Sequence, residues 1–352
     1  MMAAMDERIE KFKEFIGIVG RGEKRAKALS FDAAREAMGM ILDGVADPEQ
    51  RGAFLLACRI RGEDPVEMAG FVAAMQDRFT PLRSEASNLI SIGHPYDGRE
   101  DTFIMGAGAT LLAAAAGAKV VLHSAGRVPS KHAPGVADVL QALGLPVHLG
   151  TSDAGGFLTA HGFVHVDTRQ FMPSWNGQLE IREKIGLRLP FSSAEKLLDP
   201  CGCRNVMAGI AHGPYLAKMS GALQQLKVKR GLIVQGLEGS CDLSPQHATR
   251  AAEINGEALT EVTIDPKSLG IEPMLEVRAV GADPQVCAAL TRDAFELKAD
   301  ERSRGAAEAI ALNAAVILWS SGVSADVTSG LEKARATLKS GAAAEMLAAL
   351  KH

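Results

Sequence analysis

Six consecutive residues, Gly93-His94-Pro95-Tyr96-Asp97-Gly98, form the first group whose types and spacing suit chemistry. A glycine- and aspartate-bearing turn after a strand lets backbone N–H groups approach an anion, and a following helix N-terminus adds its dipole. Gly93, Asp97 and Gly98 carry that reading, whereas Pro95 removes one donor and His94 and Tyr96 add bulk. The same six residues also describe an ordinary strand-to-helix turn. A second segment, residues 122–131, offers Arg127, Ser130 and Lys131 either as anion ligands or as a solvated surface. Arg182 and Arg188 flank the end of one predicted helix. An arginine fork suits a carboxylate; a helix-face charge is the plainer alternative. No pair among the nine histidines forms an H-E-x-x-H motif, His161 and His165 being separated by Gly-Phe-Val at the start of a predicted strand, so none is assigned a catalytic role.

The elements that must hold these groups fall into two regions. Residues 1–84 read as short amphipathic helices. Asp47-Pro48-Glu49-Gln50 has the form of a capping box with proline at the first helical position, and Asp64-Pro65-Val66-Glu67 repeats it one helix later. Such a helical cluster needs a partner surface, either a small lobe or a dimer contact. From about residue 88 strands alternate with helices. Strands are predicted at 88–93, 119–123, 163–167, 205–211 and 231–235, and helices at 135–143, 178–185 and 215–226. This is the pattern of βαβ units and of a mostly parallel sheet covered on both faces. Ligands of such sheets sit beyond the carboxyl ends of the strands, where residues 93–98 belong. From residue 284 to the end the chain returns to helix.

Bulk properties narrow the class. With 352 residues, 47% hydrophobic but only 5% aromatic, the chain suits closely packed helices over a buried sheet better than an all-β sandwich. A formal charge of −4 and a pI near 6.2 give no global attraction for nucleic acid. The five cysteines are an odd number without framework spacing, and no N-terminal signal pattern is seen, so a reducing, cytoplasmic setting is expected. Cys201-Gly202-Cys203 is the one close pair, and no second pair at zinc-site spacing accompanies it. No apolar run is long enough to suggest a membrane span.

Several segments resemble the anthranilate phosphoribosyltransferase family. Residues 93–98 fall where that family carries Gly-Thr-Gly-Gly-Asp-Gly. Residues 135–144, GVADVLQALG, resemble its G-S-A-D-V-L-E-A-L-G, and residues 181–188, IREKIGLR, its V-R-K-x-L-G-I-R. Residues 50–63 look like its Q-x-G-A-F-L-x-A-L-R-x-K-G-E helix, and Leu312-Asn313-Ala314-Ala315 matches a closing helix. The resemblance covers roughly residues 15–345. It implies an α/β fold: a helical amino-terminal domain (1–84, with a returning segment near 180–200) and a larger α/β glycosyltransferase-type domain (85–352) with a mostly parallel sheet. It also implies a cleft between the two and a homodimer through the helical domain.

The resemblance further implies that residues 93–98 hold the diphosphate of phosphoribosyl pyrophosphate (PRPP), with His123 and Arg127 retained from a K-H-G-N-R loop. It places Arg182 on the acceptor carboxylate. An Asp-Glu pair that holds Mg2+ in the family aligns here with Cys241-Asp242, leaving Asp242 and Glu238 as the candidate metal ligands. Other ligands have changed: the Asn-x-Ser-Thr segment has become Phe103-Ile104-Met105-Gly106, and the H-P-A segment Met172-Pro173-Ser174. Metal and hydrogen-bond donors stabilise the departing diphosphate, and one preorganised donor is worth about 3 kcal/mol. Efficient anthranilate chemistry is therefore not expected. Residues 19–29, VGRGEKRAKAL, also resemble a divergent branch of the family that is associated with sequence-independent nucleic-acid binding in a basic groove. Arg21, Lys24, Arg25, Lys27, Lys184 and Arg188 would serve that alternative by neutralising phosphates of a single strand.

Overall fold

The computed structural model describes residues 2–22, 24–84 and 86–351, with the side chains of the first eight residues excepted. Four helices open the chain: α1 (Met2–Val19), α2 (Phe31–Leu42), α3 (Pro48–Arg61) and α4 (Pro65–Gln76). Both predicted capping boxes are present, with Pro48 and Pro65 at the first helical positions. The α2 helix packs along α4, and α4 in turn packs on the helix Pro214–Gln225. Gly70 makes the α2–α4 approach tight, since a Cβ there would lie 2.5 Å from the Phe31 carbonyl.

One seven-stranded sheet follows, in the order β3-β2-β1-β4-β5-β6-β7. Its strands are β1 (Leu89–Gly93), β2 (Lys119–Ser124), β3 (Phe163–Asp167), β4 (Asn205–Gly209), β5 (Arg230–Val234), β6 (Thr249–Asn255) and β7 (Ala258–Ile264). The first five are parallel, and their bounds agree with the sequence expectation to within two residues. The antiparallel pair β6–β7 was not anticipated. Its signal was present: the two-residue loop Gly256-Glu257 joins the strands, and Gly256 supplies the positive φ (+60°) that the tight turn requires.

Alternation along the strands sorts side chains into two cores. Val120 and Leu122 of β2 join one cluster with α5 (Gly106–Ala115) and the long helix Glu301–Ser320. Val121 joins the other, with Phe54 and Phe71 of the opening helices and with Trp175, Phe191 and Leu197 from the middle of the chain. The helical opening thus shares a core with one face of the sheet, and residues 175–197 return to pack there. Among the described residues no helix is long and apolar enough to cross a membrane.

Candidate functional site in the interdomain cleft

The 93–98 loop leaves the carboxyl end of β1 at the centre of the sheet, as the parallel topology requires. Two of its glycines are obligatory on steric grounds. A Cβ on Gly93 would lie 2.1 Å from the Lys196 carbonyl oxygen, and one on Gly98 (φ +80°) 2.1 Å from that of Ala133. The bulky residues between them turn inward. The hydroxyl of Tyr96 meets His123 Nδ1 at 2.8 Å and Thr168 Oγ1 at 2.7 Å, and its ring stands edge-on to Trp175. His94 is buried against the start of α5, where a Cβ on Gly106 would meet its ring at 2.3 Å. Burial pushes the imidazole of His94 down to about 4 and that of His123 to about 3, so both are neutral near pH 7. His123 Nε2 is buried without a hydrogen-bond partner.

The amino terminus of α5 would be the natural seat for an anion, but the chain fills it. Gly106 N–H donates to Asp242 Oδ2 at 3.1 Å. The same oxygen accepts from the guanidinium of Arg99, which lies almost fully buried directly after the glycine loop. Arg99 also donates to Ser240 Oγ at 3.2 Å, to Thr102 Oγ1 and to the Phe103 carbonyl at 2.7 Å. Glu238 approaches the same guanidinium at 3.8 Å. Its carboxylate accepts from the backbone N–H groups of Glu100, Asp101 and Thr102 at 2.9, 3.2 and 3.0 Å, and from the Thr102 hydroxyl at 2.7 Å. Burial raises the Glu238 carboxyl, but these donors and the charge of Arg99 overcome it and bring it down to about 2. Asn313, from the helix Glu301–Ser320, pins the segment after Asp242 by accepting from Leu243 N–H at 2.7 Å.

These carboxylates do not fit a magnesium ion. Mg2+ needs several oxygens at near-octahedral positions. Here Asp242 and Glu238 both face a fixed cation, and Glu238 is already satisfied by four hydrogen bonds. The neighbouring Cys241 thiol is pushed up by burial and donates to the Gly93 carbonyl. The metal pairing of Glu238 and Asp242 expected from the resemblance is thus replaced by an internal arginine.

Arg182 is likewise occupied. Its Nη1 donates to Glu195 Oε2 at 2.6 Å and its Nη2 to Glu195 Oε1 at 3.2 Å, both residues being about 2% exposed or less. Trp175 supports the pair: its ring lies 5.2 Å from the guanidinium carbon and its indole N–H donates to Glu195 at 3.2 Å. Burial raises the Glu195 carboxyl, and Arg182 pulls the other way. Arg182 therefore meets a carboxylate as expected of a fork, but the carboxylate belongs to the chain itself.

The remaining candidates divide between the surface and the cleft. Arg127 is exposed and pairs with Asp138 at 3.0 Å, Ser130 is exposed, and Lys131 bridges Glu100 at 3.0 Å and Glu238 at 3.5 Å. Arg188 pairs with Asp97 at 2.7 Å, and Lys184 with Glu180. Arg21, Lys24, Arg25 and Lys27 are exposed and make no ion pair among the described residues. Arg99 and Glu195 were not singled out from sequence; only the position of Arg99 next to the glycine loop could have drawn notice.

An open cavity of about 350 Å³ remains beside the filled loop. Arg59 and Glu63 from α3 and the turn after it form one wall. Asp97, Arg188, Lys196, Tyr215 and Glu238 form the other. Lys196 Nζ donates to the carbonyls of Gly209 and Gly239, and burial lowers it to about 8. Glu63 accepts from the Tyr215 hydroxyl at 2.9 Å.

A helical bundle joined to a sheet-centred α/β unit, with a cavity between them at the strand ends, defines a glycosyltransferase class of protein. The sequence agrees: residues 13–79 match the model of the glycosyl transferase family helical bundle domain, and residues 97–344 that of the a/b domain. Curated relatives include the anthranilate phosphoribosyltransferase of Brevibacillus brevis, 30% identical over 93% of this chain and 94% of its own. That of Thermomicrobium roseum is 30% identical over 96% of each. The anthranilate phosphoribosyltransferase of Thermus thermophilus superposes with a TM-score of 0.83 at 27% identity, covering 97% of this chain and 98% of its own. The Saccharomyces cerevisiae enzyme, solved with PRPP and Mg, shares the fold at a TM-score of 0.79 and 18% identity over 96% of each chain. The chain belongs to the anthranilate phosphoribosyltransferase family.

Proposed function

We propose that this chain binds a phosphorylated small molecule of the PRPP class in its interdomain cavity without a metal ion, and that it does not use anthranilate as acceptor. The observation that carries this reading is internal substitution. Glu195 occupies the guanidinium of Arg182, and Arg99 occupies the carboxylates of Asp242 and Glu238. An acceptor carboxylate would have to displace a buried, hydrogen-bonded one, and a magnesium ion a buried arginine. Both exchanges leave an unpaired charge in low dielectric, at a cost of several kcal/mol. The cavity beside them keeps polar groups of both signs: Arg59, Arg188 and Lys196 against Glu63, Asp97 and Glu238. Arg59, Arg188 and Lys196 are the groups that would meet the phosphates of a ligand compact enough for that cavity, which is too small for a long polyanion.

Calorimetric titration of PRPP with and without Mg2+ tests the reading. Saturable binding unchanged by metal, with no turnover of anthranilate, is the expected result. Binding that requires Mg2+, or transfer to anthranilate, would overturn it. A second reading, single-stranded nucleic-acid binding, draws on Arg21, Lys24, Arg25 and Lys27, which are exposed and make no ion pair among the described residues. It predicts a steep salt dependence that weakens when these four become alanine. Fluorescence anisotropy with labelled single-stranded DNA at low and moderate salt separates it from the first.

A further inference from the structure

At the opposite end of the sheet, where β4 begins, the segment Asp199-Pro200-Cys201-Gly202-Cys203 folds back on itself. The carboxylate of Asp199 and the sulfurs of Cys201 and Cys203 all lie within 4.8 Å of one another. Both thiols approach one carboxylate oxygen, at 3.6 Å from Cys201 and 3.4 Å from Cys203. Two further observations show that this is a built loop. Asp199 is fixed by backbone donors, Cys203 N–H to Oδ1 at 3.2 Å and Arg204 N–H to Oδ2 at 2.7 Å, while its own N–H donates to Gln76 of α4 at 3.0 Å. Gly202 takes a left-handed φ of +63°, which turns the chain so that the flanking sulfurs converge. The loop is half-buried and borders a cavity of about 280 Å³ through Asp199 and Gly202.

We propose that Asp199, Cys201 and Cys203 form a binding site for a thiophilic divalent cation of the zinc class, with a fourth position open toward that cavity. Zinc–sulfur bonds of about 2.3 Å and zinc–oxygen bonds of about 2.1 Å at tetrahedral angles place sulfur and oxygen roughly 3.6 Å apart. The two observed sulfur–oxygen separations lie at that edge length, and the two sulfurs are within 4.8 Å of each other. Two sulfur ligands disfavour magnesium and calcium, which take oxygen. Each thiol gives up its proton to solvent as the metal binds. The Arg204 side chain is directed away, donating to the Lys227 carbonyl. The other three cysteines, Cys58, Cys241 and Cys287, are buried elsewhere.

The full-length chain, reduced and freed of chelator, is titrated with cadmium as a spectroscopic substitute for zinc. The expected result is a thiolate-to-metal charge-transfer absorbance that saturates at one equivalent and is displaced by zinc but not by magnesium. Cys201→Ser/Cys203→Ser, checked for folding by circular dichroism, is expected to lose the band, and Asp199→Asn to weaken binding by roughly tenfold or more. No saturable band in the wild-type chain would overturn the site and leave only hydrogen bonds between thiols and carboxylate. A band retained by the double variant would place the metal elsewhere, and unchanged affinity in Asp199→Asn would remove the third ligand.

Discussion

Arg182, expected to meet the carboxylate of a ligand, meets that of Glu195 in its own chain. The pair is buried, bidentate and braced by Trp175. Breaking such a pair costs far more than the pair contributes, because the surviving charge is stranded. Glu195→Gln is expected to destabilise the fold by about 3–5 kcal/mol, read as a lower urea midpoint with unchanged slope. The shorter Glu195→Ala leaves space beside the guanidinium. Its thermal stability is expected to rise on adding millimolar benzoate, whereas the wild type should not respond. An equal response in both chains would mean that benzoate binds somewhere other than Arg182.

At the level of elements, the five parallel strands were legible because each is a short apolar run closed by turn residues. The pair β6–β7 was not read, because β7 is mostly exposed and its apolar residues are interrupted by Thr260, Glu261 and Thr263 instead of forming a continuous run. The hairpin offers a clean test of backbone conformation alone. A Cβ on Gly256 would meet nothing within 4 Å, so the whole effect of Gly256→Ala comes from its φ of +60°. The expected loss is about 1–2 kcal/mol, seen as a lower melting temperature. The candidate site was legible in its position but not in its occupancy. The place of residues 93–98 at the end of β1 follows from topology. The contact of Arg99 with Asp242 joins residues 143 apart, and no local pattern announces it. Glu195 lies nearer to Arg182, yet its inward direction depends on the turn at residues 186–190, which spacing alone does not define.

Across the whole molecule, three histidines of the sheet layer are buried and neutral. Burial brings His94 and His165 to about 4 and His123 to about 3, from an ordinary value of 6.5. As pH falls, the unfolded chain takes up protons first, so stability is full above about pH 6.5 and declines from there toward about pH 4. Each histidine contributes a slope of at most about 1.4 kcal/mol per pH unit in that window. A lower urea midpoint at pH 5 than at pH 7.5 is expected; a flat profile would mean that these rings gain protons without unfolding.

The arrangement around Arg99 also bears on how such a protein can change over time. In one shell the guanidinium, Asp242, Glu238, Thr102 and the first amide of α5 are joined by hydrogen bonds, with the buried Arg99 Nε left 3.8 Å from Glu238 and without a hydrogen-bond partner among the described residues. Any single replacement that turns this shell toward a metal site must first pass through a buried carboxylate or guanidinium with nothing opposite it. The intermediate sequences are less stable than either end. Substitution at this position is therefore constrained by folding itself, independently of any ligand the cleft takes.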